Sequence, residues 1–100
     1  MSGKITQLAV SAFLSNTNFK LSNTEVYSVQ QRGETITEMY LHDNLIARKV
    51  GKNLFISNGG WSSNTTKERL NGLPNVSIFQ KKGIWYLNGQ QWNGKLTKVV

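Results

Sequence analysis

Apolar residues near the start of the chain recur with the spacing of an amphipathic helix. Ile5, Leu8, Ala9, Ala12 and Phe13 follow the i, i+3, i+4, i+7, i+8 pattern, which places them on one helical face. The pattern therefore predicts an N-terminal helix that packs this face against the rest of the protein.

The limits of this helix are predicted from the polar residues around it. Ser2 is expected to cap its start. The polar stretch 15–18 is expected to end it, and residues 15–24, rich in Ser, Asn and Thr, predict a loop or a short extended link.

Short runs rich in β-branched and aromatic residues follow, with turn residues between them. They predict strands over 25–31, 35–41, 45–50, 53–57, 76–81, 84–88 and 96–100. The expected turns include His42-Asp43-Asn44, Gly51-Lys52, Lys82-Gly83 and the hairpin dipeptides Asn88-Gly89 and Asn93-Gly94.

A second, short helix is predicted over residues 65–71. Thr65 and Glu68 have the spacing of a capping box, and Asn71-Gly72 is a typical C-terminal stop. The whole pattern indicates a single-domain α+β protein, with an antiparallel sheet of five to seven short strands and two helices.

Composition excludes several classes of site. The 100 residues contain no cysteine, so disulfides, zinc–thiolate sites and thiol nucleophiles are ruled out, and no metal or cofactor is expected. No apolar run approaches the roughly 20 residues of a membrane span. The first apolar stretch is interrupted by Thr6, Gln7 and Ser11, which disfavours a signal peptide, and a cytoplasmic protein is expected.

The charge is distributed unevenly along the chain. The net charge is +7; residues 1–43 hold three basic and four acidic residues, whereas residues 44–100 hold nine basic and one acidic residue. Such a field attracts polyanions and speeds their encounter. The alternative is that the lysines serve only solubility.

Residues 58–69 combine two glycines, several hydroxyl groups and the start of the predicted helix. Free backbone N–H groups at a helix start favour an anion, and an aromatic ring can stack on a base. The segment therefore predicts a contact to a nucleic-acid backbone, although an ordinary capped helix beside a buried tryptophan is the alternative. The candidate residues are Trp61, Ser62, Ser63, Thr65, Thr66, Lys67 and Arg69.

Two predicted hairpins carry clustered basic residues. Arg48, Lys49 and Lys52 lie at one hairpin, and Lys81 and Lys82 lie at the other. If both hairpins point the same way, they form a basic rim for phosphates. Each pair taken alone is more typical of an ordinary exposed turn, whereas the two pairs together favour a binding surface.

The aromatic residues Trp85, Tyr86 and Trp92 raise a similar question. In a strand Trp85 and Tyr86 point to opposite faces. Either Tyr86 or Trp92 is a candidate for an exposed stacking surface, while burial is the commoner fate of such rings.

Part of the chain resembles a known group of proteins. The segments Leu45-Ile46-Ala47, Leu54-Phe55-Ile56-Ser57-Asn58-Gly59-Gly60-Trp61, Thr65-Thr66-Lys67-Glu68-Arg69-Leu70-Asn71-Gly72-Leu73 and Trp85-Tyr86-Leu87-Asn88-Gly89 are similar to a pattern in small proteins of tailed bacteriophages. The resemblance covers about residues 45–94 and leaves the first 40 residues outside it. It implies a phage protein acting in the host bacterial cytoplasm, and it transfers no catalytic residue because the group has no established activity.

These features predict a basic, non-catalytic nucleic-acid-binding module for RNA or single-stranded DNA. A module that binds an acidic host protein and inhibits or redirects it is the first alternative. A small ribonuclease that uses His42, the single histidine, is the second. The sequence predicts no membrane partner, and it leaves the oligomeric state and any sequence preference open.

Overall fold

The computed structural model describes residues 3–60 and 63–99 and contains two helices and nine strands within them. The elements are α1 Lys4–Leu14, β1 Phe19–Leu21, β2 Thr24–Gln31, β3 Glu34–Leu41, β4 Asn44–Val50, β5 Asn53–Ile56, α2 Asn64–Asn71, β6 Ile78–Lys81, β7 Ile84–Leu87, β8 Gln90–Gln91 and β9 Thr97–Val99. Neither helix in these ranges is long and apolar enough to cross a membrane.

The predicted α+β class, with antiparallel strands and an N-terminal helix, is confirmed. The strands form two sheets: a six-stranded sheet in the order β1-β2-β3-β4-β5-β9, and a three-stranded sheet in the order β6-β7-β8. Residues 15–24, predicted as a loop or extended link, contain the edge strand β1. All strand pairs are antiparallel.

Tight turns connect the strands where the sequence predicts them. In the β6–β7 hairpin Lys82 and Gly83 have φ of 53° and 79°, the left-handed pair that suits the right-handed twist of the strands. The hairpin predicted at Asn93-Gly94 is wrong, because both residues lie in the link between β8 and β9. There Gly94 has φ of 84°, and its carbonyl accepts a hydrogen bond of 2.8 Å from the Asn58 N–H.

The six-stranded sheet has one covered face and one open face. Alternate residues of β2 and β3 point to the covered side, where Val26, Met39 and Leu41 join the core with Phe13 and Ala9 of α1. A bulge between Met39 and Tyr40 places the neighbouring residues Ile46 and Ala47 both in the core. The small sheet and α2 add Leu70, Ile78, Trp85 and Trp92 to the same core.

Helix α1 buries a face slightly rotated from the predicted one. Ala9, Ala12 and Phe13 are buried as expected, but Leu8 is exposed and Thr6 is buried instead. The cost of burying the Thr6 hydroxyl is offset by the hydrogen bond that it accepts from Arg69 of α2. The predicted cap, Ser2, lies outside the described residues, and Gly3 occupies the N-cap position without a side-chain hydrogen bond.

Helix α2 begins one residue earlier than predicted and has a different cap. Ser63 is the N-cap, and its Oγ accepts a hydrogen bond of 3.1 Å from the Thr66 N–H. The predicted Thr65–Glu68 capping box is wrong. The Glu68 carboxylate accepts a hydrogen bond from the Gly3 N–H at the start of α1 instead.

Candidate nucleic-acid interface

The described candidate residues of segment 58–69 lie in different environments. Trp61 and Ser62 lie outside the described residues. Ser63 and Thr66 stabilise the start of α2. Their hydroxyls lie 2.9 Å apart, and Thr66 is fully buried. Ser63 and Thr65 stay partly exposed.

The prediction that Arg69 contacts phosphate is wrong. Arg69 is 4% exposed, and its guanidinium donates hydrogen bonds to the Thr24 hydroxyl at 3.1 Å and to the Thr6 hydroxyl. It also forms a 3.0 Å ion pair with Glu68. A buried charge needs such partners, so Arg69 joins α2 to α1 and β2.

Trp92 is likewise not an exposed stacking surface. It is 7% exposed, and its Nε1 donates to the Thr97 hydroxyl at 2.8 Å. Its ring lies 6.1 Å from that of Trp85 in the core. Trp92 therefore connects the small sheet, through its contact with Trp85, to the start of β9, through its hydrogen bond to Thr97.

Lys67 is placed beside the β6–β7 hairpin. Its Nζ donates a 2.8 Å hydrogen bond to Oε1 of Gln80 and lies 5.5 Å from the centroid of the Trp85 ring. The ring's negative face favours the cation at this distance. Lys67 thus adds positive charge at the hairpin while staying partly exposed.

The basic residues of the β4–β5 hairpin have separate environments. The Lys49 Nζ donates to the Leu14 carbonyl at the end of α1 and lies over the Phe13 ring, and burial lowers the pKa of Lys49. On the open face, Nε of Arg48 lies 3.6 Å from Oε2 of Glu38. Lys52 is exposed in the turn.

The two basic hairpins do not form the predicted rim. Lys52 lies at the end of β5 where Leu54 pairs with Val99. The Lys82–Gly83 turn lies beside Asn58 and Gly94, beyond the other end of β5. At about 3.3 Å per residue, the length of β5 keeps these turns apart.

The β6–β7 hairpin instead carries a compact aromatic surface of its own. Phe79 and Tyr86 are cross-strand partners whose rings stack 5.0 Å apart at an interplanar angle of 9°. Phe79 is 46% exposed, and the other residues of this outward face are Lys81 and Ile84, which pair with each other. These four residues, Phe79, Lys81, Ile84 and Tyr86, are called the hairpin platform below.

The sequence did not single out Phe79 as a candidate contact residue. The signal was present, since Ile78 and Gln80 share one face of β6 while Phe79 and Lys81 share the other. Only Ile78 of these four is buried. Of the two rings considered as exposed candidates, Tyr86 lies on the outward face and Trp92 does not.

Comparison with known proteins identifies the family. The family model described as Kyanoviridae Gp96 protein matches residues 2–97. The chain belongs to this bacteriophage protein family. Its match extends over the first 40 residues, which the resemblance in the sequence left outside. No curated protein and no solved structure gave a match.

Membership in the Kyanoviridae Gp96 family carries no reaction and no catalytic residue to this chain. His42 lies exposed in the β3–β4 turn with φ of 51°. It lines a small cavity together with Lys20, Glu25 and Tyr40, on the six-stranded sheet and apart from the hairpin platform. Within residues 3–60 and 63–99, no group of three His, Cys, Asp or Glu side chains is placed to hold a metal ion.

Charge distinguishes the hairpin platform from the rest of this Gp96-family chain. Residues 69–100 contain no acidic residue. The lysines of this stretch, Lys81, Lys82, Lys95 and Lys98, are all exposed. An anion that approaches the platform therefore meets positive charge without a neighbouring carboxylate from its own segment.

Proposed function

We propose that the protein is a non-catalytic module that binds single-stranded nucleic acid on the hairpin platform, in the cytoplasm of the phage's host. The observation that carries the proposal is the stacked, partly exposed Phe79–Tyr86 pair beside Lys81 and Lys82. Bases supply flat apolar faces and the backbone supplies negative charge, and the platform offers a partner for each.

The aromatic part of the platform favours unpaired bases. A base in a duplex is already stacked on its neighbours, whereas a base in a single strand is free to stack on a protein ring. Such a stack is worth about 1–3 kcal/mol per base. The exposed ring of Phe79 and the apolar Ile84 next to it give an area where a base loses contact with water.

The basic part of the platform supplies affinity without sequence preference. Lys81 extends from the outward face of β6, and Lys82 occupies the adjoining turn. Lysines that neutralise phosphates release bound counterions, so the affinity falls steeply as salt rises. Lys67, held by Gln80 on the inward side of the same hairpin, strengthens the local field.

The test measures fluorescence anisotropy with labelled single-stranded RNA, single-stranded DNA and duplex DNA, each at low and at physiological salt. The Lys81→Gln/Lys82→Gln variant is expected to weaken binding and to reduce the slope of log affinity against log salt by about 1.4 for a single strand, since each phosphate contact contributes about 0.7. The Phe79→Ala variant is expected to weaken single-strand binding about fivefold or more, and duplex binding less.

A charge-matched variant controls for the net charge of the protein. Lys4→Gln/Lys20→Gln removes the same two charges from exposed positions on α1 and β1, and it is expected to change the affinity far less. If both double variants lose affinity equally, or if wild-type binding vanishes at physiological salt for all three probes, the proposal is wrong. Capture of one acidic protein from bacterial lysate in a 1:1 complex would then support the protein-binding alternative.

A further inference from the structure

The open face of the six-stranded sheet is an apolar surface that the described residues leave uncovered. Tyr27 and Val29 on β2 are 52% and 50% exposed. The same face holds partly exposed apolar side chains from the three following strands: Ile36, Tyr40, Leu45, Val50 and Phe55. Contiguous apolar surface of this kind marks a contact site on a soluble protein.

Charges on this face are distributed unevenly between its two halves. Glu25 on β2 and Glu34 and Glu38 on β3 lie on one side, where the edge strand β1 adds one lysine, Lys20, opposite Glu25. Arg48 on β4 and Lys98 on β9 lie on the other. A polyanion does not match this pattern, because half of the face repels it. A surface with the opposite arrangement matches it, and a second copy of the same face supplies one.

We propose that two copies of the chain dimerise through this open face, about a twofold axis that runs parallel to the strands between β3 and β4. Rotation about that axis exchanges the two halves of the sheet, so the acidic half of one copy covers the basic half of the other. A twofold axis perpendicular to the strands would instead place the acidic residues of one copy opposite the acidic residues of the other. The charge pattern therefore selects a single orientation for this symmetric pair.

The strand register gives the contacts of such a dimer. This axis places each β3 residue of one copy opposite a β4 residue of the other copy. That β4 residue has the same number as the one that pairs with the β3 residue within a single sheet. The resulting contacts are Ile36 with Val50, Tyr40 with Leu45 and Glu38 with Arg48 of the second copy. One strand further from the axis, Tyr27 on β2 contacts Phe55 on β5 of the second copy. Both residues lie at the level of the Glu38–Arg48 pair along the strands.

Each of these contacts is complementary in chemical character. Two are apolar, one joins two aromatic rings and one joins opposite charges. Sheets packed face to face lie about 10 Å apart with nearly aligned strands, which this axis provides. The Glu38 carboxylate already accepts a hydrogen bond from the Tyr40 hydroxyl, and its contact with Arg48 of the same chain, at 3.6 Å, is longer than a hydrogen bond. Within one copy, the Arg48 guanidinium therefore forms an ion pair with Glu38 but no hydrogen bond to it.

The test uses sedimentation velocity over a wide range of protein concentrations, together with native mass spectrometry. The wild type is expected to form a dimer. Arg48→Glu places a second carboxylate opposite Glu38 of the other copy, and Glu38→Arg places a second guanidinium opposite Arg48. Each change is expected to weaken dimerisation about thirtyfold or more. The exposed variant Lys95→Glu, with the same charge change as Arg48→Glu, is expected to remain a dimer.

Mixing the two variants separates the contact between copies from effects inside one chain. In a pair made of one Arg48→Glu chain and one Glu38→Arg chain, both intermolecular contacts again join opposite charges, although each chain keeps its own like-charged pair. The mixture is expected to form a dimer with one chain of each kind. A wild type that stays monomeric, single variants that remain dimeric, a Lys95→Glu variant that dissociates, or a mixture that fails to associate would each overturn the proposal.

Discussion

The carboxylate of Glu68 on α2 accepts a 2.6 Å hydrogen bond from the Gly3 N–H at the start of α1. The first N–H groups of a helix have no partner within the helix, and Gly3 has no side chain to supply one. Glu68 therefore satisfies an end of α1 from a distant part of the sequence. The sequence predicted that Glu68 would take part in a local capping box, whereas in the structure its carboxylate connects α2 to the start of α1.

This contact predicts a pH dependence of stability. The hydrogen bond from Gly3, followed by the nearby charge of Arg69, lowers the pKa of Glu68. Because the folded pKa is depressed, the stabilisation is present above the ordinary pKa of about 4.3 and is lost as the pH falls through the lower folded value. Urea unfolding over a series of acidic pH values should show a smaller loss of stability for Glu68→Gln than for the wild type.

The control for this experiment is Asp43→Asn, which removes an exposed carboxylate at the β3–β4 turn. It should keep the wild-type pH profile. Parallel profiles for wild type and Glu68→Gln would show that the Gly3 contact contributes nothing to acid stability.

Arg69 is predicted to matter for folding and not for ligand contact. Arg69→Ala removes the donor for two buried hydroxyls, Thr6 and Thr24, and leaves a gap between α1, α2 and β2. We expect a loss of about 3 kcal/mol in the free energy of unfolding. Lys52→Ala, at an exposed turn, should change it by less than about 0.5 kcal/mol. Denaturant unfolding measures both, and equal effects would contradict the assignment.

The start of α2 gives a prediction with a closely matched control. Ser63→Ala removes the acceptor for the Thr66 N–H and should cost about 1 kcal/mol. Thr65→Ala removes a hydroxyl two residues later, at the position that the sequence suggested as the cap, and should cost less than about 0.5 kcal/mol. Thermal or urea unfolding of both variants distinguishes the two cap positions. A larger loss of stability for Thr65→Ala than for Ser63→Ala would show that Thr65 is the cap.

Gly94 is predicted to be required for close packing as well as for its backbone conformation. Gly89 and Gly94 have similar φ values, 86° and 84°, so an alanine at either position carries a similar strain, of about 1 kcal/mol or more. A Cβ at Gly94 would also collide with the Asn58 side chain, whereas a Cβ at Gly89 meets nothing within 4 Å. Urea unfolding should therefore show a larger loss for Gly94→Ala, and equal losses would mean that Asn58 moves away freely.

The sequence by itself determined the local structure of this protein. The turn pairs Lys82-Gly83 and Asn88-Gly89 predicted hairpins that the structure contains, because positive φ at both positions is a local property. The runs of β-branched and aromatic residues likewise predicted the limits of seven strands to within about two residues, but they did not predict the short strands β1 and β8. The antiparallel α+β class followed from these elements, since short strands joined by tight turns pair with their neighbours.

Only the tertiary structure decided which polar and aromatic residues are available to a ligand. Arg69, Thr66 and Trp92 were candidates for ligand contact in the sequence, but the packing of the helices and sheets buries all three. The partners of Arg69, Thr6 and Thr24, lie far from it in the chain. Phe79 looked like an ordinary strand residue and became exposed because the core takes the opposite face of β6. Burial depends on which elements pack together, and no local spacing along the chain contains that information.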